Sequence, residues 1–144
     1  MNAITLGAQL LLVAYHQATT FFDLYPFNNV RDYTVKERLT ECLINGITMM
    51  APFIGFYLHI EWMMTASLII YPALLIAEYF NWWKPYFFGA SETWQKVYDR
   101  LFRSTIIVLP PVKKNPVPNL EHLLLHGLTL ITCIVTYISY FTQL

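Results

Sequence analysis

Hydrophobic residues in this chain of 144 residues are gathered into four long runs, which are separated by more polar segments. A helix of about 20 apolar residues is long enough to cross the hydrocarbon core of a bilayer. The runs therefore predict four transmembrane helices, at about residues 3–22, 39–57, 62–83 and 120–141. The first run has no basic region ahead of it and no small-residue cleavage site, so we interpret it as a retained helix and not as a signal peptide.

A different pattern occupies residues 91–107, between the third and fourth runs. Apolar residues recur there at i, i+3, i+4 and i+7 from Trp94, charged residues lie on the opposite side, and Ser91 is suited to cap the start. This predicts a short amphipathic helix on the membrane surface, with its basic side facing lipid headgroups. The alternative is a short soluble helix that caps the bundle.

The composition agrees with a lipid environment. Hydrophobic residues make up 56% of the chain and charged residues 12%, compared with about 25% charged in soluble domains. We therefore expect an all-α membrane protein: one domain over residues 1–144, with four transmembrane helices in a bundle and a short amphipathic helix on the cytoplasmic side between helices three and four. The net charge of zero argues against nucleic acid as a partner.

Basic residues predict the orientation. All nine Lys and Arg residues lie between the first and second runs or between the third and fourth. The positive-inside rule then places both loops in the cytoplasm and both termini outside, as in an integral protein of the bacterial inner membrane. Aromatic clusters at residues 21–27 and 79–88 are expected at the cytoplasmic boundary, where such rings favour the headgroup level.

Ionisable residues inside the runs gather at one depth. Counted at about 1.5 Å per residue, each predicted helix carries an acid or a histidine in its cytoplasmic third. On the first, second and fourth predicted helices these residues follow helical spacing and form a polar stripe, which must face protein or a water-filled cavity. The residues that we expect to share one polar chamber are His16, Glu41, Glu78, His122 and His126.

Histidine and carboxylate side chains are the usual ligands of zinc, non-haem iron and manganese. We therefore predict that these five residues bind one of these metals, and that further polar residues orient them: Asp23, Asn45, Thr20 and Glu121. A metal in this position would suit hydrolysis or oxidation of a lipid-soluble substrate. Whether the protein is an enzyme stays open.

Several alternatives remain at this point. Glu121 lies near a helix start, where a carboxylate caps the helix, and the whole polar cluster would also serve as packing between helices. The chain would then be a non-catalytic subunit or assembly partner of a larger membrane complex, with membrane lipids and a partner membrane protein as its contacts. A haem- or quinone-binding role is a further alternative; haem held between His16 and His126 is less favoured because carboxylates lie nearby. A transporter fits least well, since ionisable residues are scarce in the outer halves of the helices.

Overall fold

In the computed structural model, which describes residues 2–143, the chain forms helices and no strand, so the expected all-α fold class is confirmed for these residues. The third predicted span does not stop at residue 83 but continues to Phe88. The elements are α1 (Asn2–Phe21), a 3-10 turn (Val30–Asp32), α2 (Val35–Leu58), α3 (Glu61–Glu78), a π-helical turn (Tyr79–Trp83), α4 (Lys84–Phe88), α5 (Glu92–Leu101) and α6 (Leu120–Gln143).

The start of α2 is fixed by a capping box. The Thr34 hydroxyl accepts a hydrogen bond from the Glu37 backbone N–H at 3.2 Å, and the Glu37 carboxylate accepts one from the Thr34 N–H at 2.8 Å. Two exposed amides of the first turn are thereby satisfied. The helix therefore begins four residues before the predicted boundary of residue 39.

A tight hairpin joins α2 to α3. His59 adopts the left-handed conformation (φ 55°) that ends α2, and the Ile60 N–H donates to the Gly55 carbonyl at 2.8 Å. A Cβ atom on Gly55 would lie 2.6 Å from Cβ of Met63. The absence of a side chain at residue 55 therefore allows the two helices to approach closely.

The long helices pack as a ring. α1 contacts α2 and α6, and α3 likewise contacts both α2 and α6. Leu12 and Val13 of α1, Met49 of α2 and Tyr71 of α3 form the buried centre of this arrangement. The first and last helices of the ring are therefore neighbours, although they lie at opposite ends of the sequence.

Within residues 2–143, three helices are long and apolar enough to cross a membrane: Val35–Leu58, Glu61–Phe88 and Leu120–Thr142. Large apolar side chains are exposed on each of them, including Ile47, Ile69 and Ile131. These helices indicate an integral membrane protein. The first predicted span does form a helix, α1, but it is not among the three, because polar residues such as Gln9 and His16 lower its hydropathy.

The polar residues of α1 are buried against α6. Gln9 Nε2 donates to Thr136 Oγ1 at 3.1 Å, and Thr132 Oγ1 donates to the Ala8 carbonyl at 3.3 Å. Such hydrogen bonds and small side chains hold membrane helices together in the absence of a hydrophobic driving force. Thr5 adds a third such bond, from its Oγ1 atom to the Val135 carbonyl of α6 at 3.3 Å.

Helix α5 packs against the end of the ring with its apolar side. Tyr98 and Leu101, together with Phe102, form a buried cluster with Trp82. Arg100 adds a salt bridge to Glu37 at 2.6 Å, while the charged residues Lys96 and Arg103 remain exposed. Helix α5 therefore packs on the end of the bundle, and its contact with a membrane surface stays a prediction. The helix ends at Leu101 and not at the predicted residue 107, because the backbone leaves helical geometry at Phe102.

Candidate functional site

A small cavity lies at the end of the ring that faces α5, between α1, α2, α6 and the loop that follows α1. Its volume is about 20 Å³, which is room for about one water molecule or one ion. Two histidines and two glutamates are part of its wall. The lining residues are His16, Thr19, Thr20, Asn28, Asn29, Val30, Tyr33, Arg38, Glu41, Glu121, His122 and Leu125.

His16 forms the part of the wall that belongs to α1. Its Nε2 atom lies 3.2 Å from the Asn45 amide nitrogen and 4.0 Å from Oε1 of Glu41, both on α2. Its Nδ1 atom is buried and has no hydrogen-bond partner among the described residues. A buried nitrogen without a partner is costly, so Nδ1 has capacity for a further partner, whereas Nε2 would have to exchange Asn45 for one.

His122 and Glu121 form the part of the wall that belongs to α6. Asn119 caps this helix, since its Oδ1 atom accepts from the His122 backbone N–H at 3.1 Å and lies 2.6 Å from His122 Nδ1. The Asn119 amide nitrogen donates in turn to Thr105 Oγ1 at 2.9 Å, which fixes the orientation of the amide. We infer that His122 Nδ1 carries the proton and that Nε2 keeps its lone pair.

The carboxylate of Glu121 lies 3.8 Å from His122 Nδ1. The cavity therefore has two histidine–carboxylate pairs in its wall, His16 with Glu41 and His122 with Glu121. Arg38 also lines it and donates to the Phe21 carbonyl at 3.0 Å. With both carboxyl groups ionised and both imidazoles neutral, these side chains would leave the wall with a net negative charge, which favours a cation.

Glu78 and His126 are not part of the cavity wall. Glu78 accepts a hydrogen bond from Thr129 of α6 at 2.6 Å. His126 is buried beside Trp82 and Trp83, at ring-centroid distances of 6.5 and 6.0 Å, and neither of its ring nitrogens has a partner in the described part of the chain. The structure thus brings His16, Glu41 and His122 to one cavity and leaves these two residues outside it.

The four residues predicted to orient the ligands also differ in position. Asn45 contacts His16, and Glu121 and Thr20 line the cavity. The Thr20 hydroxyl donates to the His16 carbonyl at 2.8 Å and so serves the helix backbone. Asp23 lies on the exposed loop, where it forms a salt bridge with Arg31 at 2.8 Å.

Sequence reasoning missed the loop that closes the cavity. Asn28 is buried, and its amide nitrogen donates to the carbonyls of Thr19 and Phe22, each at 2.8 Å. Its Oδ1 atom accepts from the Leu24 N–H at 2.7 Å, so this one side chain organises the turn after α1. Two consecutive asparagines next to an apolar run were the available signal, since such residues favour turns through bonds to nearby backbone.

Tyr33 completes the wall beside Glu41. Burial, together with the nearby carboxylates of Glu41 and Glu121, raises the pKa of Tyr33 well above its usual value. The phenol therefore stays protonated at neutral pH and is available as a hydrogen-bond donor. It does not add a second negative charge to this side of the cavity.

Within the described residues 2–143, no group of three or more His, Cys, Asp or Glu side chains is arranged to hold a metal ion. Comparisons with protein-family models, curated proteins and solved structures found no match. The fold and the cavity indicate the class of protein: a helical protein with three helices long and apolar enough to cross a membrane, and a small polar cavity at one end. Metal binding by its histidines and glutamates stays a prediction.

Proposed function

We propose that this protein crosses the membrane four times, with α1 as the first crossing, and that its cavity binds one transition-metal ion at the cytoplasmic side. Helix α1 has 20 residues and packs between α2 and α6. Its polar side chains contact α6 and α2, as Gln9 and His16 do, while apolar side chains such as Ile4 and Leu11 are exposed and would face lipid. The positions of the basic residues support cytoplasmic loops at the cavity end and outer termini.

The observation that carries the metal proposal is the pairing of His16 with Glu41 across a cavity of about 20 Å³. A metal bonds to imidazole nitrogen and carboxylate oxygen at about 2.0–2.2 Å. Two such bonds at a tetrahedral angle place their ligand atoms about 3.4 Å apart, so His16 Nε2 and Glu41 Oε1, which are 4.0 Å apart, need only a small approach to share one ion. His122 lines the same cavity, and the lone pair inferred on its Nε2 atom makes it the candidate for a third protein ligand.

The donor types narrow the choice of metal. Imidazole and carboxylate together suit zinc, non-haem iron and manganese, whereas soft metals such as copper(I) prefer sulfur. The cavity volume favours a single ion over haem or a quinone, since sites for molecules of that kind are usually several hundred Å³. Action on a lipid-soluble substrate stays a prediction that depends on the metal being bound first.

Elemental analysis of detergent-purified protein tests the proposal. We expect stoichiometric zinc, iron or manganese in the unchanged protein and in His59→Asn, because His59 is exposed in the α2–α3 hairpin. Asparagine tolerates the left-handed conformation at that position. His16→Ala should lose the metal, and Glu41→Gln should lower the affinity by at least about tenfold, with helix content unchanged by circular dichroism.

Two results would contradict the proposal. One is unchanged protein that lacks metal and does not take it up from solution. The other is His16→Ala protein that keeps the metal as firmly as the unchanged protein does. Absence of metal, combined with a partner protein that co-purifies, would instead favour a non-catalytic subunit of a larger membrane complex.

A further inference from the structure

A larger groove lies directly beside the cavity, along the first turns of α2. Its volume is about 630 Å³, and it is open to the surface. Tyr33 and Glu41 line both the groove and the cavity, so these two side chains form the wall between the two spaces. The residues that line the groove are Tyr33, Lys36, Glu37, Thr40, Glu41, Ile44 and Asn45.

Glu41 differs from the buried members of the cavity in its exposure. Its side chain is 38% exposed, whereas that of His16, with Nε2 4.0 Å away, is 4% exposed. Asn45, one turn further along α2, also lines the groove and contacts the same His16 nitrogen at 3.2 Å. The groove therefore reaches the buried imidazole through a carboxylate and an amide, both of which bind cations through oxygen.

The charged residues around the groove favour passage of a cation along the side that Glu41 lines. Glu37 is occupied by its salt bridge with Arg100 at 2.6 Å. Lys36 is exposed at the rim, where solvent screens its charge. Glu41, unlike Glu37, forms no salt bridge with Lys or Arg among the described residues. It lies where the groove and the cavity meet.

The other groove of comparable size does not offer such a path. It lies between α1 and α2, has a volume of about 450 Å³, and is lined mainly by apolar residues. Its polar members, Gln17 and Cys42, are hydrogen-bonded to each other: Gln17 Nε2 donates to the Cys42 carbonyl at 3.2 Å, and Cys42 Sγ to Gln17 Oε1 at 2.9 Å. A hydrated cation would find no charged ligand there.

We propose that the groove along α2 is the access route of the metal, and that Glu41 captures the hydrated divalent cation and delivers it to His16. The inference rests on the proposed metal site. Glu41 already lines both spaces, so a small adjustment of its side chain, a motion that partly exposed side chains make within nanoseconds, carries a bound ion towards the imidazole. Asn45 holds the imidazole until the ion arrives and then releases Nε2.

Loading kinetics of metal-free protein test the route, with Zn²⁺ as the probe and a fluorescent zinc chelator as the competitor. Thr40→Trp places a large ring in the groove, and Leu39→Trp places the same ring on the adjacent residue, which does not line the groove. We expect Thr40→Trp to slow zinc uptake by about tenfold or more while the equilibrium affinity stays close to that of the unchanged protein. Leu39→Trp should load at the normal rate.

A second blocking variant, Ile44→Trp, guards against a local effect at residue 40 and should slow uptake in the same way. Normal uptake by both groove variants, with normal affinity, would overturn the access route and leave the metal site intact. Failure of the unchanged protein to bind zinc at equilibrium would overturn both the site and the route. The two failures are therefore distinguishable in one set of measurements.

Discussion

The hydrogen bond between Gln9 and Thr136 offers a quantitative test of the seam between α1 and α6. Gln9 is fully buried, its Nε2 atom donates to Thr136 Oγ1 at 3.1 Å, and its Oε1 atom has no partner among the described residues. The pair lies remote from the charged end of the bundle. Its two members should respond very differently to mutation.

Thr136→Val removes the hydroxyl with little change of shape and leaves both polar atoms of the Gln9 amide without a partner. An unsatisfied buried polar group costs about 1–3 kcal/mol, and we expect the free energy of unfolding to fall by that amount. Gln9→Leu removes the amide together with its unpaired oxygen. The Thr136 hydroxyl then donates to a carbonyl of its own helix, so the expected loss is no more than about 0.6 kcal/mol.

The double variant completes a mutant cycle. Once Gln9 is leucine, changing Thr136 to valine should cost almost nothing, so the two single effects will not add. Stability is measured by reversible unfolding in mixed detergent and dodecyl sulfate micelles, followed by tryptophan fluorescence. Equal losses for the two single variants, or additive losses in the double variant, would refute the view that this bond satisfies the amide.

Three further predictions concern packing. Gly55→Ala should lower the unfolding free energy by about 1–3 kcal/mol, because its Cβ would meet the backbone and Cβ of Met63 within 3.0 Å. The control is Gly7→Ala, whose Cβ would have nothing within 4 Å. It should be neutral or stabilising by the same assay. Trp82→Ala should cost about 3–5 kcal/mol and release α5, seen as faster amide exchange over residues 92–101. Arg100→Ala should lower the unfolding free energy by about 1 kcal/mol or less, since its salt bridge is exposed. A loss of stability as large as that of Trp82→Ala would show that the salt bridge, and not apolar packing, holds α5 in place.

The helices could be predicted from the sequence because hydrophobic runs and capping residues act locally. Thr34 and Glu37 stand at the spacing of a capping box, a local signal for the start of α2 that the boundary at residue 39 did not use. The polar side of α1 was only partly recognised. Thr5 and Gln9 extend the stripe of His16 and Thr19 towards the start of the helix. They are uncharged, and the prediction of buried polar residues was based on ionisable side chains.

It was harder to predict which residues line the cavity, because the position of His122 depends on its packing against Trp82. The aromatic cluster around this residue is typical of a membrane boundary, and its neighbours Phe80 and Phe88 are indeed exposed. Trp82 itself is 5% exposed and packs against His122 with the ring centroids 4.0 Å apart. A π-helical turn at Tyr79–Trp83 shifts the helical phase here, and periods of 3.6 residues cannot anticipate that shift.

The seam between α1 and α6 also has a consequence for how the protein is made. Helix α1 leaves the ribosome well before α6, and the partners Gln9 and Thr136 are 127 residues apart. Until α6 has been synthesised, the amide and hydroxyl groups of α1 lack the surface that shields them from acyl chains. With α1 as the proposed first crossing, its stable integration into the bilayer should therefore wait until α6 has been synthesised, and chains truncated before Leu120 should leave α1 accessible to water-soluble reagents.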